Sequence, residues 1–318
     1  MSKALASFVG LLALLLGATV CTQVKAESDI KVTLLGTGTP IPDPVRFGPS
    51  TLVEAGNQKL LFDAGRGVPI RVRQLGFRES KIDVVFLTHY HSDHTAGIPD
   101  IWLTGWLGNF RQEPFRLIGP VGAKSLMANL ENAYALDIKI RLVDEKLPPE
   151  GIATAVEEFE KDGVVYDNDG VKVIAFTVDH GADIKPAVGY RIEYKGRAVV
   201  ISGDTRYDQN VIKYGTGVDL LIHEVCIVRP ELLSNPFIKR VVDHHTTPRE
   251  AGQVFSLAKP KLAVYSHLVF LASDKVPRAT VDDIVAGTRE TYDGPLQVGE
   301  DLMSFEIGDT VIVSQRKP

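Results

Sequence analysis

Short apolar runs alternate with longer, helix-like segments from residue 30 onward. The short runs are rich in β-branched and aromatic residues and are bounded by Gly, Pro, Asp or Asn, which predicts strands. The predicted strands are 32–35, 51–54, 59–61, 84–88, 117–119, 171–178, 188–193, 198–202, 220–223, 262–266, 302–307 and 310–314. The predicted helices lie between them, at about 95–107, 122–134, 206–213, 248–257 and 276–292. Such alternation is typical of a layered α/β architecture.

One domain is expected to cover residues 27–318, because no low-complexity linker divides this part of the chain. Residues 142–170 are acidic and rich in loop-forming residues, so we interpret them as a surface excursion. Of the chain's residues, 44% are hydrophobic and 24% are charged, which is ordinary for a globular protein and argues against extensive disorder.

Residues 1–26 differ from the rest of the chain. An apolar run at 8–18 is followed by Val24-Lys25-Ala26, which places small or modest-sized residues at the −3 and −1 positions of a possible cleavage site before Glu27. This pattern predicts a secretory signal peptide and therefore a periplasmic or secreted protein. An uncleaved anchor and a lipoprotein attached through Cys21 are the alternatives, although Val20 stands where a lipoprotein needs a small residue.

Charge and cysteine content narrow the partners that we expect. Cleavage would remove Lys3 and Lys25 and no acid, which changes the formal net charge from −5 to −7. Such a charge argues against nucleic acid as a partner, since nucleic acid demands a basic face. We therefore expect no nucleic acid and no stable membrane insertion, while a homodimer is left open. Only Cys226 would remain, so no intramolecular disulfide is expected.

The run from Lys81 to His94 carries the clearest chemistry. Its apolar part ends at Thr88, and His89, His91, Asp93 and His94 follow at once. In an extended segment His89 and His91 point the same way, so that they can share a metal ion. Asp93 and His94 come where the chain turns into a helix, beside a second metal. Imidazole and carboxylate suit zinc, with manganese or iron as alternatives.

Further ligands are expected at the ends of other predicted strands. His180, Asp204 and His267 each follow such a strand. A histidine in this position is more often structural when it occurs alone. Because a sheet gathers its strand ends at one edge, the set as a whole indicates two metal ions.

These segments resemble a metallo-β-lactamase-fold hydrolase, in the branch that holds ribonuclease Z and the zinc-dependent arylsulfatases. The similar segments run in the family's order: 34–40, 61–65, 89–94, 180 with 189–191, 202–205, 223–224, 244–247 and 266–267. The resemblance implies an αββα sandwich with the site along one edge of the sheets. Segments 36–44 and 62–67 are especially similar to the arylsulfatases.

The resemblance also implies which residue holds which metal. One metal would be held by His89, His91 and His180, and the other by Asp93, His94 and His267, with Asp204 bridging both. Asp63 would orient ligand histidines, or would close the turn before Gly65.

A hydrolytic mechanism follows from two metals, which would lower the pKa of a bridging water and hold a hydroxide for attack. Asp93 then counts as catalytic as well as a ligand. His244 is expected to give a proton to the leaving group, with Glu224 as its carboxylate partner. His245 stands where the family has Ser, so the choice between His244 and His245 stays open.

Two tryptophans follow the motif four residues apart. Trp102 and Trp106 would share one helix face, and we favour core packing over an aromatic wall beside the substrate. Phe270 has the same two interpretations.

The functional expectation is hydrolysis of a small anionic ester, either a sulfate ester or a phosphodiester. Ribonuclease Z is the first alternative, but only 192–201 lies where that family carries an RNA-binding arm. A β-lactamase would lack Asp204, whereas a lactonase shares the ligand pattern. A scaffold that kept the fold without activity is disfavoured by the complete ligand set.

Overall fold

The computed structural model describes residues 28–107 and 111–316, in which two β-sheets form the framework. The strands are β1 (Ile30–Gly36), β2 (Ser50–Ala55), β3 (Gln58–Phe62), β4 (Val84–Phe86), β5 (Phe115–Pro120), β6 (Thr154–Phe159), β7 (Gly163–Asn168), β8 (Val171–Thr177), β9 (Val188–Tyr194), β10 (Arg197–Ile201), β11 (Leu220–Val228), β12 (Leu262–Leu271), β13 (Leu296–Val298), β14 (Met303–Ile307) and β15 (Val311–Gln315). One sheet has the order β15-β14-β1-β2-β3-β4-β5-β6. The other has the order β13-β12-β11-β10-β9-β8-β7.

Helices cover the outer face of each sheet. They are α1 (Val68–Gln74), α2 (Ser92–Thr95), α3 (Ile98–Leu107), α4 (Ala123–Ile140), α5 (Pro149–Ile152), α6 (Gln209–Gly215), α7 (Pro236–Val242), α8 (Pro248–Ala258) and α9 (Val281–Arg289). Short 3-10 turns at Glu79–Lys81 and Pro230–Ser234 and a π-helical turn at Arg141–Glu145 complete the helical segments that the structure describes.

Alternation along the strands explains the four layers. Inward residues such as Val32, Phe62 and Tyr190 join one buried cluster between the sheets. Outward residues instead pack under helices, and Trp102 and Trp106 are fully buried there, which confirms core packing. A β-strand can bury both faces only when it is apolar on both, as 84–86 is. The predicted αββα sandwich is confirmed.

The segment 142–170 was expected to be a surface excursion, and that expectation is wrong. It contains β6 and β7, which pair with β5 and β8 respectively. Both are edge strands, and their side chains are mostly half-buried or exposed. Edge strands of this kind carry charged residues that discourage further pairing, so their composition imitates a loop.

Helix bounds also differ from the predicted ones. The helix expected at 276–292 is confined to α9, which begins after a capping box that pairs Thr280 with Asp283. Helix α4 runs six residues beyond the expected end at Tyr134, to Ile140. The short helices α1 and α7 were not predicted, and each begins at a proline or one residue before one.

The predicted signal peptide at 1–26 lies outside the described residues and stays a prediction. Within 28–107 and 111–316, no helix combines the length and the apolar character that crossing a membrane requires.

Candidate metal centre

The site lies where several strands end at one edge of the two sheets. Asp63 follows β3, His89 follows β4, and Asp204 follows β10. In the pairing of β11 with β12 the register shifts just after His223, at a bulge. Bulges re-aim side chains, and this one brings His267 of β12 to the same edge.

Backbone conformation at two of these positions is unusual. Asp63 and His267 have φ angles of 59° and 48°, in the left-handed region that side chains rarely adopt. Such strain persists where surrounding structure holds a functional residue in place.

Three histidines and one aspartate form the first ligand cluster. Nε2 of His89 lies 3.0 Å from Nδ1 of His91, and Nε2 of His180 lies 3.4 Å from the same atom. Oδ2 of Asp204 lies 3.8 Å from Nε2 of His89 and 3.7 Å from Nε2 of His180. These four ligand atoms all lie within 4.8 Å of one another, so a single ion between them can contact all four.

The second cluster consists of Asp93, His94 and His267. Nε2 of His267 lies 3.2 Å from Oδ2 of Asp93, and Nε2 of His94 lies 3.6 Å from it. Oδ2 of Asp204 is 3.4 Å from Nε2 of His94 and 3.3 Å from Nε2 of His267. Asp204 therefore faces both clusters, as a bridging carboxylate would.

The donor set fits two metal ions of the zinc type. The residues are almost completely buried apart from His91, which is half-buried. Within the described chain, Oδ1 of Asp93 and Nε2 of His94 are buried without a hydrogen-bond partner. Buried polar atoms normally have a partner, so these two unpartnered atoms fit a role as metal ligands. Imidazole and carboxylate donors are typical of zinc sites.

Neighbouring groups hold the second ring nitrogen of three ligand histidines. Nδ1 of His94 lies 2.8 Å from Oδ2 of Asp63, and Nδ1 of His180 lies 2.8 Å from the carbonyl oxygen of His244. The Thr88 hydroxyl lies 3.0 Å from Nδ1 of His89 and donates to Asp63. Such contacts fix the tautomer and orientation of a metal-binding imidazole. Nothing in the sequence pointed to Thr88 beyond its position before His89.

Burial and charge set the protonation of these groups. Burial lowers the pKa of His180 to about 3, so its ring is neutral at pH 7 and able to bind metal. Burial also opposes a charge on His94, but the carboxylates of Asp204 and Asp63 outweigh it and raise the pKa of His94. Asp204 is buried too, yet the histidines around it, His267 first, lower the pKa of its carboxyl well below the usual range.

A carboxylate–imidazole pair lies beside the second cluster. Oε1 of Glu224 lies 2.9 Å from Nδ1 of His245, and it accepts hydrogen bonds from the backbone N–H groups of Thr246 and Thr205 at 3.1 and 3.2 Å. Burial lowers the pKa of His245 to about 4. His245 also offers a ligand atom within 4.8 Å of those of Asp204 and His267, so its ring borders the reacting region.

His244 lacks the contact with Glu224 that its expected role requires. Glu224 contacts His245, and its second oxygen has no hydrogen-bond partner among the described residues. His244 instead supplies its carbonyl oxygen to His180, and its ring lies 5.1 Å from the His180 ring. The His245 ring lies 5.0 Å from the His180 ring, so it is the Glu224 contact that distinguishes the two residues. The carboxylate partner that was expected for His244 belongs to His245.

The structure brings the other expected residues together. It places all seven predicted ligands in the two clusters and Asp63 against His94. Phe270 is half-buried and lies under the guanidinium of Arg278, 4.4 Å from the ring centroid. His223, which precedes Glu224, is fully buried against Phe255 and takes no part in the clusters that the described residues form.

Comparison with known proteins gives the following similarities. The Beta-lactamase superfamily domain matches residues 58–268. A protein named Ribonuclease Z from Mycolicibacterium gilvum is 35% identical over 286 residues, which cover 87% of this chain and 96% of the relative. Another protein of that name, from Mycobacterium marinum, is 34% identical over 286 residues, covering 87% of this chain and 99% of the relative.

Solved structures share the fold at lower identity. The metallo-beta-lactamase fold protein YhfI from Bacillus subtilis has a TM-score of 0.66 and 20% identity, over 86% of this chain and 98% of that one. The short form of human tRNase Z has a TM-score of 0.66 and 22% identity, over 87% of this chain and 99% of that one.

These similarities correct one expectation and leave another without support. The expectation of a small anionic ester with no nucleic acid is wrong, because the relatives are named for an activity on RNA. It relied on the net charge and on one missing arm, and neither describes the surface around the metals. The expected likeness to arylsulfatases finds no support, whereas the likeness to ribonuclease Z does.

Proposed function

Because this chain belongs to the beta-lactamase superfamily and, within it, to the ribonuclease Z family, we propose that it hydrolyses phosphodiester bonds in RNA. The observation that carries the proposal is the 35% identity to a Ribonuclease Z over 96% of that relative's length. The donor geometry supports it, because two adjacent metals suit in-line displacement at phosphorus. The proposed resident ions are zinc.

The seven ligands would hold the two ions in the arrangement of the two clusters, with Asp204 shared. When bound, such ions supply an activated water and positive charge for the phosphoryl oxygens. The chain's own contribution begins with orientation. Asp63, Thr88 and the His244 carbonyl hold the ligand rings, so that the ligand atoms are aligned before a substrate arrives.

His245 is the proposed proton donor to the leaving oxygen. Its Nδ1 faces Glu224, which leaves Nε2 to deliver a proton. Hydrolysis breaks the bond between phosphorus and the leaving oxygen, and that oxygen needs a proton to depart as a hydroxyl. Burial lowers the pKa of His245 to about 4, so the ring is neutral at pH 7 and the proton that it delivers is one released by the attacking water; the Glu224 contact at Nδ1 favours the charged ring while it carries that proton.

RNA binding must rely on the surface around the metals. Strands β9 and β10 are joined by the tight turn at Lys195 and Gly196, where ribonuclease Z proteins carry their arm. This chain therefore has no extended RNA-binding arm at that turn. We expect cleavage of RNA with modest affinity, since few phosphates would be contacted.

The test is cleavage of RNA by the zinc-loaded protein. A transfer RNA precursor with a 3′ extension and an unstructured RNA would be incubated with wild type, Asp204→Ala and Asp309→Ala. Asp309 is the matched control, because its side chain is 99% exposed and pairs with Arg197, and neither residue belongs to the ligand clusters. We expect wild type and Asp309→Ala to cut RNA and Asp204→Ala to lose at least a hundredfold. If wild type cuts neither RNA, or if Asp204→Ala cuts as fast as wild type, the proposal is refuted.

A further inference from the structure

A cavity of about 440 Å³ lies under the loop that joins β1 to β2. Its walls include Ile41, Pro44 and Phe47 of that loop and Ile70 of α1. The guanidinium-bearing residues Arg46 and Arg66 also line it. The volume falls in the range of small-molecule sites. The metal ligands and the proposed proton donor do not line it, so the hydrolytic mechanism leaves its purpose open.

The cavity adjoins the second ligand cluster through backbone contacts on two sides. Where the loop begins, the carbonyl oxygen of Thr37 accepts a hydrogen bond of 3.0 Å from the N–H of Leu268, the residue after His267. Where the loop ends, Gly48 packs against Gly65 so closely that a Cβ on Gly48 would lie 3.0 Å from the Gly65 Cα. A Cβ on Gly65 would lie 2.6 Å from the carbonyl oxygen of Asp93.

Exposed apolar side chains give the cavity its chemistry. Ile41 is 75% exposed and Ile70 is 55% exposed, although both are large and apolar. Large apolar residues that surround one concave surface indicate a ligand with apolar faces. A flat aromatic ring fits such walls, since base stacking on side chains needs only a π-face.

Charge around the cavity is compatible with an adjoining phosphate. Arg46 and Arg66 line it together with one carboxylate, that of Asp43. Arg278 lies near enough to act electrostatically on Asp43 and Arg46. Asp301 and Glu300 also act electrostatically on Arg46, so four guanidinium groups, those of Arg46, Arg66, Arg71 and Arg278, lie in this region with three carboxylates.

Buried contacts hold the loop in shape before any ligand arrives. Oδ2 of Asp301 accepts hydrogen bonds from the Phe47 N–H at 2.8 Å and from Nη2 of Arg71 at 2.8 Å. The Arg71 guanidinium also lies over the Phe47 ring, 4.0 Å from its centroid. Nη1 of Arg46 donates to the Thr37 hydroxyl and to the Gly299 carbonyl at 2.6 and 2.7 Å. A preformed wall reduces the entropy that binding would cost.

From these observations we propose that the cavity binds the nucleobase of the ribonucleotide next to the cleaved phosphate. This inference rests on the proposed function, since the phosphate must lie at the metals for the base to reach the cavity. The ligand class is a nucleoside phosphate, with the base against Ile41 and Ile70 and the phosphate toward the second cluster.

Calorimetric titration of the zinc-loaded protein with AMP and with ribose 5-phosphate tests the inference. Both ligands offer the same phosphate to the metals, so the difference between their affinities reports the base alone. We expect AMP to bind wild type about tenfold more tightly, which is the scale of one stacked base. The double variant Ile41→Asn/Ile70→Asn should bind both ligands equally. Ile140→Asn/Ile312→Asn is the matched control, since these isoleucines are 53% and 52% exposed elsewhere on the surface.

Equal binding of AMP and ribose 5-phosphate to wild type would overturn the subsite, as would a preference for AMP that survives in Ile41→Asn/Ile70→Asn. Parallel RNA cleavage assays separate this failure from failure of the proposed function. RNA cleavage without a preference for AMP would refute the subsite and retain the ribonuclease. A preference for AMP that the double variant loses, without RNA cleavage, would refute the ribonuclease and retain a nucleotide site.

Discussion

Two adjacent histidines differ in their contacts, and the proposed proton transfer depends on which of them acts. His245 faces Glu224, whereas His244 gives a backbone carbonyl to His180. A backbone carbonyl survives truncation of its side chain, and an imidazole does not. Histidines 244 and 245 can therefore be separated experimentally, each serving as the control for the other.

We predict that His245→Ala lowers kcat for RNA by about 10²- to 10⁴-fold, the usual contribution of a general acid. His244→Ala should lower kcat for RNA by less than about tenfold, because the backbone carbonyl that orients His180 remains. Steady-state kinetics with zinc content measured in parallel checks this. A larger loss in His244→Ala than in His245→Ala, with metal retained in both, would contradict the assignment.

His223 provides a residue-scale prediction about acid stability. Burial lowers its pKa to about 4, while the unfolded chain binds a proton near the ordinary value of 6.5. Between these values the unfolded state binds more protons, so stability falls as the pH drops. From pH 7 to pH 5 this histidine should remove about 2 kcal/mol from the free energy of unfolding.

Urea unfolding at pH 7 and pH 5 measures the effect. His223→Asn retains a donor for the Glu224 carbonyl, to which Nδ1 of His223 is bonded at 2.7 Å. The variant should lose less stability between the two pH values than wild type does, by about 2 kcal/mol. An unchanged difference would show that His223 is not the group that titrates.

Sequence alone located the seven predicted ligands that the structure gathers into two clusters, because each lies at or just after the end of an apolar strand. It could not choose between His244 and His245, since both residues fit the same motif. The choice depends on how the chain leaves α7, where the N–H groups of His244 and His245 bond to the carbonyls of Val241 and Val242. Backbone geometry of this kind is set by tertiary packing and has no local sequence signature.

At the scale of elements, the loop between β1 and β2 is held mainly by Asp301, more than 250 residues away along the chain. Its two oxygens bind Thr37, Phe47 and Arg71, and the Arg71 and Asp301 side chains are 4% and 3% exposed. A buried ion pair that loses one charge leaves the other unpaired. Local sequence motifs carry no information about contacts between residues so far apart along the chain.

We predict that Asp301→Asn lowers the free energy of unfolding by about 3–5 kcal/mol, the usual cost of breaking a buried pair. Asp309→Asn, which removes a carboxylate from an exposed pair with Arg197, should change it by about 1 kcal/mol or less. Chemical denaturation of both variants measures the difference. Equal effects would show that Asp301 is no more important than a surface charge.

Edge elements were the least predictable parts of the fold. The central strands have uninterrupted apolar runs, and the sequence located them correctly. Strands β6 and β7 instead carry Glu157, Glu158 and Asp167 at exposed or half-buried positions, so their composition indicated a loop. Their pairing with β5 and β8 comes from the rest of the sheets, and local composition does not encode it.

At the scale of the whole molecule, the net charge is a poor guide to whether the protein binds nucleic acid. The formal charge of −5 describes the entire surface, but binding depends on the few groups beside the metals. The missing arm removes one expected RNA contact without altering the donor set on which the proposed hydrolysis depends. Fold and overall charge therefore constrain how tightly RNA is held more than whether it is cut. Export through residues 1–26 stays a prediction.

A weak salt dependence follows from this distribution of charge. With about two phosphates contacted, the logarithm of the RNA affinity should fall with the logarithm of salt concentration with a slope of about −1.4. Binding titrations of unstructured RNA between 50 and 200 mM salt, about the range over which such slopes are measured, check this. A slope steeper than about −4 would reveal an extended basic surface and contradict the account.

The central claim is that two metal ions sharing Asp204 perform phosphodiester hydrolysis on RNA. Its most direct measurement is RNA cleavage as a function of zinc bound per chain, by titrating metal-stripped wild type and Asp204→Asn. We predict that activity in wild type rises with the second equivalent of zinc and ends at two. Asp204→Asn should stay at least a hundredfold below wild type at every ratio. Full activity with one equivalent or none, or equal activity in Asp204→Asn, would contradict the claim.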